Sequence, residues 1–271
     1  MKNLTILNRN DGFGSQLNAK LSGFAFCANT PQYHYVHTPF ARLGHEWSSR
    51  ADDVNRYMNF PSIGNQAIDE SRISVPEVWS NPSLWYNNKT LKALRSQFWE
   101  GPSDKKVADI DIAVHIRRGD VNRNAKTAKG KPCKGTRARY QTDKFWNKFI
   151  PYIVANYPDD YLINIYSEGE VKDFDPIFDA PVPWPNELRQ RVVLKIDPTT
   201  TNSKIPASIY SDYNMLNSWH EMVSAKVLIQ AKSGLSYTAG IYNENDVWFS
   251  SHSHRASGQK LPLNHWKIFA K

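Results

Sequence analysis

The chain opens with a short apolar run, a polar turn that contains two glycines, and a helical pattern. The run is residues 4–7, with Leu4, Ile6 and Leu7 as its apolar members, and the turn that follows includes Gly12-Phe13-Gly14. Beyond the turn, apolar side chains recur at the three- to four-residue spacing of one helix face. Those positions are Leu17, Leu21, Phe24 and Ala28. A strand, a tight turn and a helix in this order form the opening unit of an α/β domain.

The second half of the chain alternates between strand and helix patterns. The predicted strands are residues 109–116, 161–166, 192–196 and 227–230, and the predicted helices are residues 145–157, residues 210–223 and one that begins near Ser236. This alternation favours an α/β fold with a mostly parallel sheet covered on both faces. Between the two regions we predict a strand at 33–37, helices near 52–59 and 90–99, and a linker at 101–106.

Charge adds a preference for anionic partners. A net charge of +8 over 271 residues raises their local concentration, but it does not choose among phosphates, nucleic acids and acidic lipids. The basic residues are most crowded between Arg117 and Arg139, in a segment that also contains Gly130, Pro132 and Gly135. This composition predicts a flexible basic loop, which is either a solvated loop or a lid over a bound anion.

The cysteine content and the absence of targeting segments predict a compartment. Cys27 and Cys133 are too few for a disulfide framework, so we expect both to be reduced. The N-terminal residues lack the apolar region of a signal peptide, and no run of about 18 apolar residues is present for a membrane span. We therefore predict a cytoplasmic location.

Polar clusters follow three predicted strands, at the ends where ligands bind in open α/β sheets. They are Arg117-Arg118-Gly119-Asp120, Ser167-Glu168-Gly169 and Lys232-Ser233-Gly234. An arginine offers a planar fork of donors that suits phosphate oxygens. Because side chains alternate along a strand, Arg117 and Arg118 face opposite sides, so one arginine suffices for a ligand. The alternative is a structural ion pair between one of the arginines and Asp120.

Two turns are candidates for anion contact through their backbone. Ser233-Gly234-Leu235-Ser236 lies where a strand passes into a helix, and amides at a helix start bind anions. Alternatively, either serine simply caps the helix. Gly12-Phe13-Gly14 lacks the third glycine of a dinucleotide-binding turn and the lysine of a P-loop. Its glycines would still let the backbone approach a ligand closely.

The histidines do not indicate a metal site. His252 and His254 have no carboxylate or cysteine near them in the sequence. His220 and Glu221, on a predicted helix, are either acid–base candidates or packed side chains. We therefore expect neither a metal nor a cofactor.

Together the motifs resemble those of the superfamily of α1,2-, α1,6- and protein O-fucosyltransferases. Val114-His115-Ile116-Arg117-Arg118-Gly119-Asp120 is similar to its signature, and Asp11-Gly12-Phe13-Gly14-Ser15-Gln16-Leu17 is similar to its N-terminal glycine loop. Residues 219–229 with 232–237 resemble its C-terminal motif, and residues 165–169 stand where the family often has Phe-Ser-Asp-Asp. The four motifs occur in the family's order between residue 10 and about residue 245.

This resemblance implies a GT-B-like fold of two Rossmann-like halves. It also implies an inverting, metal-independent glycosyltransferase that moves fucose from GDP-fucose to a glycan acceptor. Residues 1–105 would form the N-terminal half, on the acceptor side, and residues 106–271 the half that binds the nucleotide-sugar donor.

The resemblance also implies roles for individual residues. Arg117 would hold the donor β-phosphate and Ser236 would lie near the same phosphates. The residues expected at the donor are Gly12, Phe13, Gly14, His115, Arg117, Ser167, His220, Ser233, Gly234, Leu235 and Ser236. The general base is left open among Asp11, Asp120, Glu168 and Glu221.

Three other functions are compatible with the sequence. The same fold transfers other sugars, for example xylose from a UDP donor, because a fold does not determine a substrate. A basic nucleic-acid-binding protein would need aromatic residues interleaved with a contiguous basic groove, whereas this chain has one basic loop. A non-catalytic sugar-binding module is disfavoured by Arg117 and the two glycine turns.

For the glycosyltransferase, the expected partners are a nucleotide-sugar donor and a glycan acceptor, without nucleic acid or a membrane span.

Overall fold

The computed structural model describes residues 1–43, 51–64, 66–101, 108–118, 121, 139–197, 215–250 and 262–269. The chain divides into two compact units. The first comprises Met1–Val107 and Gln259–Trp266, and the second comprises Ala108–Gly258 and Lys267–Lys271.

The first unit is built on a three-stranded parallel sheet with the strand order β2-β1-β3. Its strands are β1 (Lys2–Ile6), β2 (Tyr33–Tyr35) and β3 (Glu70–Arg72). Its helices are α1 (Phe13–Ala28), α2 (Ala51–Met58), α3 (Pro76–Ser80), α4 (Pro82–Trp85) and α5 (Asn88–Trp99).

Close packing fixes α1 on this sheet. Gly23 lies so near Ile6 of β1 that a Cβ at residue 23 would overlap the isoleucine side chain. The absence of a side chain there lets the helix approach the strand. The turn that leads into α1 is therefore held at the carboxyl end of β1.

The second unit contains a six-stranded sheet in which every neighbouring pair is parallel. Its strands are β4 (Ile112–His115), β5 (Ile163–Glu168), β6 (Val192–Asp197), β7 (Val227–Ile229), β8 (Asp246–Ser250) and β9 (Lys267–Phe269). Its helices are α6 (Asp143–Val154), a 3₁₀ helix (Val171–Phe174), α7 (Asp175–Asp179), α8 (Asn186–Gln190), α9 (Met215–Ser224) and α10 (Gly234–Tyr242).

One face of this sheet packs a dense core. Alternate residues of β4, β5 and β7 meet the aromatic side of α6, because side chains along a strand point to opposite faces in turn. The fully buried members include Ile112, Val114, Ile165, Ile229 and Trp146. The residues between them, such as His115, therefore face the other side of the sheet.

The strand order β6-β5-β4-β7-β8-β9 is that of a doubly wound α/β sheet. The chain moves from β4 outward through β5 to β6, and then returns to the other side of β4 with β7. The topological switch point therefore lies between β4 and β7. Ligands of such sheets bind in the crevice outside the carboxyl ends of the strands at that point.

The predicted α/β class, with two Rossmann-like halves that each contain a parallel sheet, is confirmed by these two sheets. The strands β3, β8 and β9 were not predicted. Ser167 and Glu168 are the last two residues of β5 rather than a segment after it.

Cys27 is buried, whereas Cys133, most of the predicted linker and most of the basic loop lie outside the described residues. Among the helices of the described ranges, none is long and apolar enough to cross a membrane.

Candidate functional site

The loops that follow β4 and β7 meet at the switch point of the second sheet. Arg117 lies two residues beyond the end of β4, and Ser233 lies four residues beyond the end of β7. The Arg117 Nη1 donates a hydrogen bond of 3.3 Å to the Ser233 Oγ. Two motif residues that are far apart in the sequence are thus brought together where a doubly wound sheet binds its ligands.

Ser233 also begins helix α10. Its Oγ accepts a hydrogen bond of 3.3 Å from the backbone N–H of Leu235, which is the geometry of an N-cap. The first N–H groups of a helix have no partner within the helix, and the helix dipole places positive charge at this end. The Arg117 guanidinium therefore lies beside a second positive feature, and the pair forms a site suited to an anion.

Arg118 is held by the protein itself. Its Nη2 lies 2.7 Å from the Asp143 Oδ1, its Nη1 donates to the Gln141 carbonyl at 3.0 Å, and its guanidinium lies 4.6 Å from the centroid of the Tyr140 ring. Only 11% of its side chain is exposed. Arg118 is thus a structural residue, and its carboxylate partner is Asp143. Asp120, the partner proposed from the sequence, lies outside the described residues.

Ser167 supports the segment that carries Arg117. The Ser167 Oγ donates a hydrogen bond of 2.5 Å to the carbonyl of Ile116, the residue directly before Arg117. This bond joins the carboxyl ends of β4 and β5. Glu168, the next residue, ends β5 and is exposed.

Polar residues form a row across the face of the second sheet that is opposite the core around α6. His115 pairs with Tyr166 on β5, and Tyr166 pairs with Lys195 on β6. Val114 pairs with Ile229, so the following residue of each strand brings His115 next to Gln230. These row residues lie where a purely structural sheet would carry apolar side chains.

The polar row includes a charged contact and an unsatisfied amide. The Lys195 Nζ lies 2.7 Å from the Glu221 Oε2 on α9, with 11% and 27% of the two side chains exposed. Glu221 is thus tied to Lys195, and His220 precedes it on the same helix. Gln230 is 1% exposed, and neither its Oε1 nor its Nε2 has a hydrogen-bond partner within the described ranges.

Lys232 adds a desolvated cation to the loop after β7. Its side chain is half-buried, and burial lowers the pKa of its ammonium group. Partial burial removes water from the Lys232 ammonium group and makes its positive charge unfavourable. A bound anion would offset that cost by attraction to the charge. Its backbone N–H donates to the Gln141 Oε1 at 3.1 Å, so the loop is anchored to the segment before α6.

The remaining residues of the serine turn have structural surroundings. Ser236 is fully buried, and its Oγ donates to the Ala231 carbonyl at 3.4 Å. Gly234 and Leu235 are the first two residues of α10, so they offer backbone groups to a ligand. Of the turn's two serines, Ser233 is the one that touches Arg117.

The glycine turn of the first unit is organised around Asp11. One carboxylate oxygen accepts from the Gly12 N–H at 2.9 Å, and the other accepts from the Ser15 hydroxyl at 2.6 Å. Gly12 is the N-cap of α1 at φ −67°, an ordinary extended conformation. Phe13 is 2% exposed and packs against Phe40, so its side chain belongs to the core of this unit.

Gln16 stabilises the same turn through side-chain hydrogen bonds. It is 1% exposed, and its Nε2 donates to the carbonyls of Asp11 at 2.8 Å and of Arg42 at 2.7 Å. Gly14 is buried within α1. The turn is therefore a fixed platform at the carboxyl end of β1.

Sequence reasoning missed several residues of the second unit's site. Gln141, Asp143 and Lys195 are separated from the motifs, and only the folded chain brings them to the strand ends. Gln230 did carry a signal, since it is a polar residue at the end of an apolar strand. Within the described residues, no group of three or more His, Cys, Asp or Glu side chains is placed to hold a metal ion.

Comparison with known proteins gives one distant structural similarity. No protein-family model matches the sequence, and no curated protein matches it. Among solved structures, the crystal structure of POFUT1 in complex with GDP is similar at 11% sequence identity and a TM-score of 0.38. The alignment covers 100% of this chain and 98% of that chain. A similarity at this level assigns neither a residue nor an activity, so the geometry of the site itself must support any function.

Proposed function

We propose that this protein is a glycosyltransferase whose nucleotide-sugar donor places its diphosphate against the loops after β4 and β7. The observation that carries the proposal is the contact between Arg117 and Ser233 at the switch point. An arginine and a helix start at this position supply the two kinds of group that bind phosphate oxygens.

The same arrangement suits the chemistry of glycosyl transfer. Negative charge grows on the diphosphate as the bond to the sugar breaks, and fixed positive groups aimed at that charge lower the barrier. Arg117, Lys232 and the N-terminal end of α10 would supply them without a metal. We propose inversion at the anomeric carbon, in which the acceptor hydroxyl attacks from the opposite face of the sugar.

The acceptor hydroxyl needs a general base. Glu221 is tied to Lys195, and both carboxylate oxygens of Asp11 accept hydrogen bonds within the glycine turn. Glu168 has an exposed side chain at the carboxyl end of β5, the end of the sheet where the donor is proposed to bind. We propose Glu168 as the first base to test and Asp11 as the second, with Asp120 as a further candidate.

For the donor we propose GDP-fucose, because the motifs around Arg117 and Ser233 resemble those of fucosyltransferases. UDP-xylose is the alternative donor. A glycan is the proposed acceptor, and the first unit is proposed as its binding side.

A ligand screen by thermal shift tests this function. The native chain would be heated with GDP, UDP, GDP-fucose and UDP-xylose, and consumption of each sugar nucleotide would be followed with a mixed glycan acceptor. We expect one diphosphate and its sugar nucleotide to raise the melting temperature and the sugar nucleotide to be consumed. Binding of none of the four ligands would overturn the proposal, and binding of DNA instead would favour the nucleic-acid alternative.

A further inference from the structure

Gln141 connects the two loops of the site. It directly precedes Thr142, the N-cap of α6, and it is 7% exposed. Its backbone carbonyl accepts from the Arg118 Nη1 at 3.0 Å, on the loop after β4. Its side-chain Oε1 accepts from the Lys232 N–H at 3.1 Å, on the loop after β7. Gln141 is therefore bonded to both loops at the switch point.

The other half of this amide lacks an acceptor. The Gln141 Nε2 is buried and has no hydrogen-bond partner in the described part of the chain. A buried polar group without a partner is costly and uncommon in native proteins. The Oε1 of the same amide is bonded to the Lys232 N–H, so the Nε2 belongs to a group that is held by the loop leading into α10.

Several hydrogen-bond donors lie around this loop. They comprise the Arg117 guanidinium, the Lys232 ammonium, the first N–H groups of α10 and the Gln141 Nε2. A ligand that brings several acceptor oxygens would satisfy such a set. A single phosphate beside Arg117 and Ser233 would leave the Gln141 Nε2 without an acceptor.

We propose that Gln141 is a ligand-binding and positioning residue of this site and that its Nε2 donates to the second of two linked phosphates. The first phosphate binds at Arg117 and the start of α10, and the second binds at Lys232 and Gln141. Lys232 and Ser233 are consecutive, and consecutive Cα atoms lie about 3.8 Å apart, so phosphates linked through one oxygen fit side by side. This inference rests on the proposed diphosphate site, and it adds a preference for diphosphate over monophosphate.

Binding of inorganic pyrophosphate and inorganic orthophosphate to the full chain tests the proposal, with calorimetry as the measurement. Two variants separate the two roles of the amide. Gln141→Glu keeps an oxygen for the Lys232 N–H but replaces the donor with negative charge. Gln141→Leu removes both groups. The matched control is Asn147→Leu on α6, because Asn147 is also buried but donates to the carbonyls of Ile177 and Val182, away from the loops.

We expect the native chain to bind pyrophosphate at least about tenfold more tightly than orthophosphate, the size of one hydrogen bond to a charged group. Both Gln141 variants should lose most of that preference, while Asn147→Leu keeps it even if its melting temperature falls. An unchanged preference in Gln141→Glu and Gln141→Leu, or an equal loss in the control, would overturn the role of Gln141. So would a native chain that binds the two anions equally.

The outcome also separates this inference from the proposed function. If pyrophosphate binding depends on Gln141 but no sugar nucleotide is consumed, the two-phosphate site stands and glycosyl transfer is wrong. If a sugar nucleotide is consumed and the Gln141 variants bind pyrophosphate normally, glycosyl transfer stands and the role of Gln141 is wrong.

Discussion

Ser167 and Ile116 are joined by a hydrogen bond of 2.5 Å from the serine hydroxyl to the isoleucine carbonyl. The bond ties the end of β5 to the residue that precedes Arg117. The orientation of Arg117 therefore depends on a side chain from the neighbouring strand.

Removal of this bond should loosen the donor site. For Ser167→Ala we expect an apparent donor affinity about threefold to tenfold weaker, since one neutral hydrogen bond is worth ~1 kcal/mol. The melting temperature should fall by about 2–4 °C. Ser167→Thr, which keeps the hydroxyl, should bind the donor normally. Titration of the three proteins with the best ligand of the nucleotide screen measures this, and equal affinities would show that the bond does not position Arg117.

Much of the second unit follows from its sequence pattern, because strong local signals agree with the fold. The apolar strand ahead of Arg117 and the serine turn ahead of α10 were both placed correctly at strand ends. Their meeting at one switch point depends on strand order, which no local pattern encodes. The partner of Arg118 could not be predicted for the same reason, since Asp143 begins a helix 25 residues further along the chain.

The short outer elements had weaker signals. β9 has three residues and lies at the edge of its sheet, so its pairing is decided by the tertiary contacts of Phe269 with the aromatic face of α6. In the first unit, the sequence predicts Phe13 as part of a ligand-binding turn, but its side chain lies in the core. The helix starts at Phe13 and directs the ring toward Phe40.

Gln230 should reduce the stability of the protein. Its buried amide has no partner among the described residues, so Gln230→Leu should remove an unsatisfied polar group at similar volume. We expect the free energy of unfolding to rise by about 1 kcal/mol, because an unpaired buried polar group costs ~1–3 kcal/mol. Denaturant unfolding provides the measurement.

Asn243→Leu is the matched control for Gln230→Leu. Asn243 is also a buried amide of the second unit, but its Nδ2 donates to the carbonyls of Met222 and Ala225. Its replacement should destabilise the protein by ~2 kcal/mol or more, because the Met222 carbonyl and the Asn245 N–H lose their bonds to the Asn243 amide and the Ala225 carbonyl keeps only the bond from the Asn245 side chain. Equal destabilisation by both substitutions would mean that the Gln230 amide is as well satisfied as that of Asn243.

His37 should make the first unit sensitive to acid. Burial, with a contribution from the nearby Lys20, lowers the pKa of His37 to about 3. In the unfolded chain a histidine binds a proton below about pH 6.5. Between these two values the unfolded chain binds more protons than the folded one, so stability falls as the pH falls below about 6.5.

The loss of stability at pH 5 is set by how far this pH lies below the histidine pKa of the unfolded chain. One and a half pH units below 6.5 correspond to a loss of ~2 kcal/mol relative to neutral pH. His37→Phe keeps a ring beside Phe60, whose ring the imidazole stacks on at 4.7 Å, and removes the titration. Urea unfolding at pH 5 and pH 7.5 should show a smaller loss for the variant. An identical loss in both proteins would exclude His37 as its source.

Activity should not depend on a divalent metal. In the proposed site the charge on the leaving diphosphate is met by Arg117, Lys232 and the start of α10, so a chelator has nothing essential to remove. We expect initial rates of donor consumption to agree within about twofold with and without excess EDTA. Loss of activity that added Mg²⁺ or Mn²⁺ restores would contradict the metal-free mechanism.

The role of Arg117 is tested most directly by the turnover of Arg117→Ala beside Arg191→Ala. Arg191 serves as the control because its Nε bonds the Tyr161 carbonyl at 2.9 Å, beside the start of β6 and so at the amino end of the same sheet. With the donor found in the screen, Arg117→Ala should lower kcat/KM by about 100-fold or more, the usual cost of losing one group that stabilises transition-state charge. Its melting temperature should stay near that of the native chain, and Arg191→Ala should retain its activity. Normal turnover by a folded Arg117→Ala protein would contradict a diphosphate site at Arg117 and Ser233.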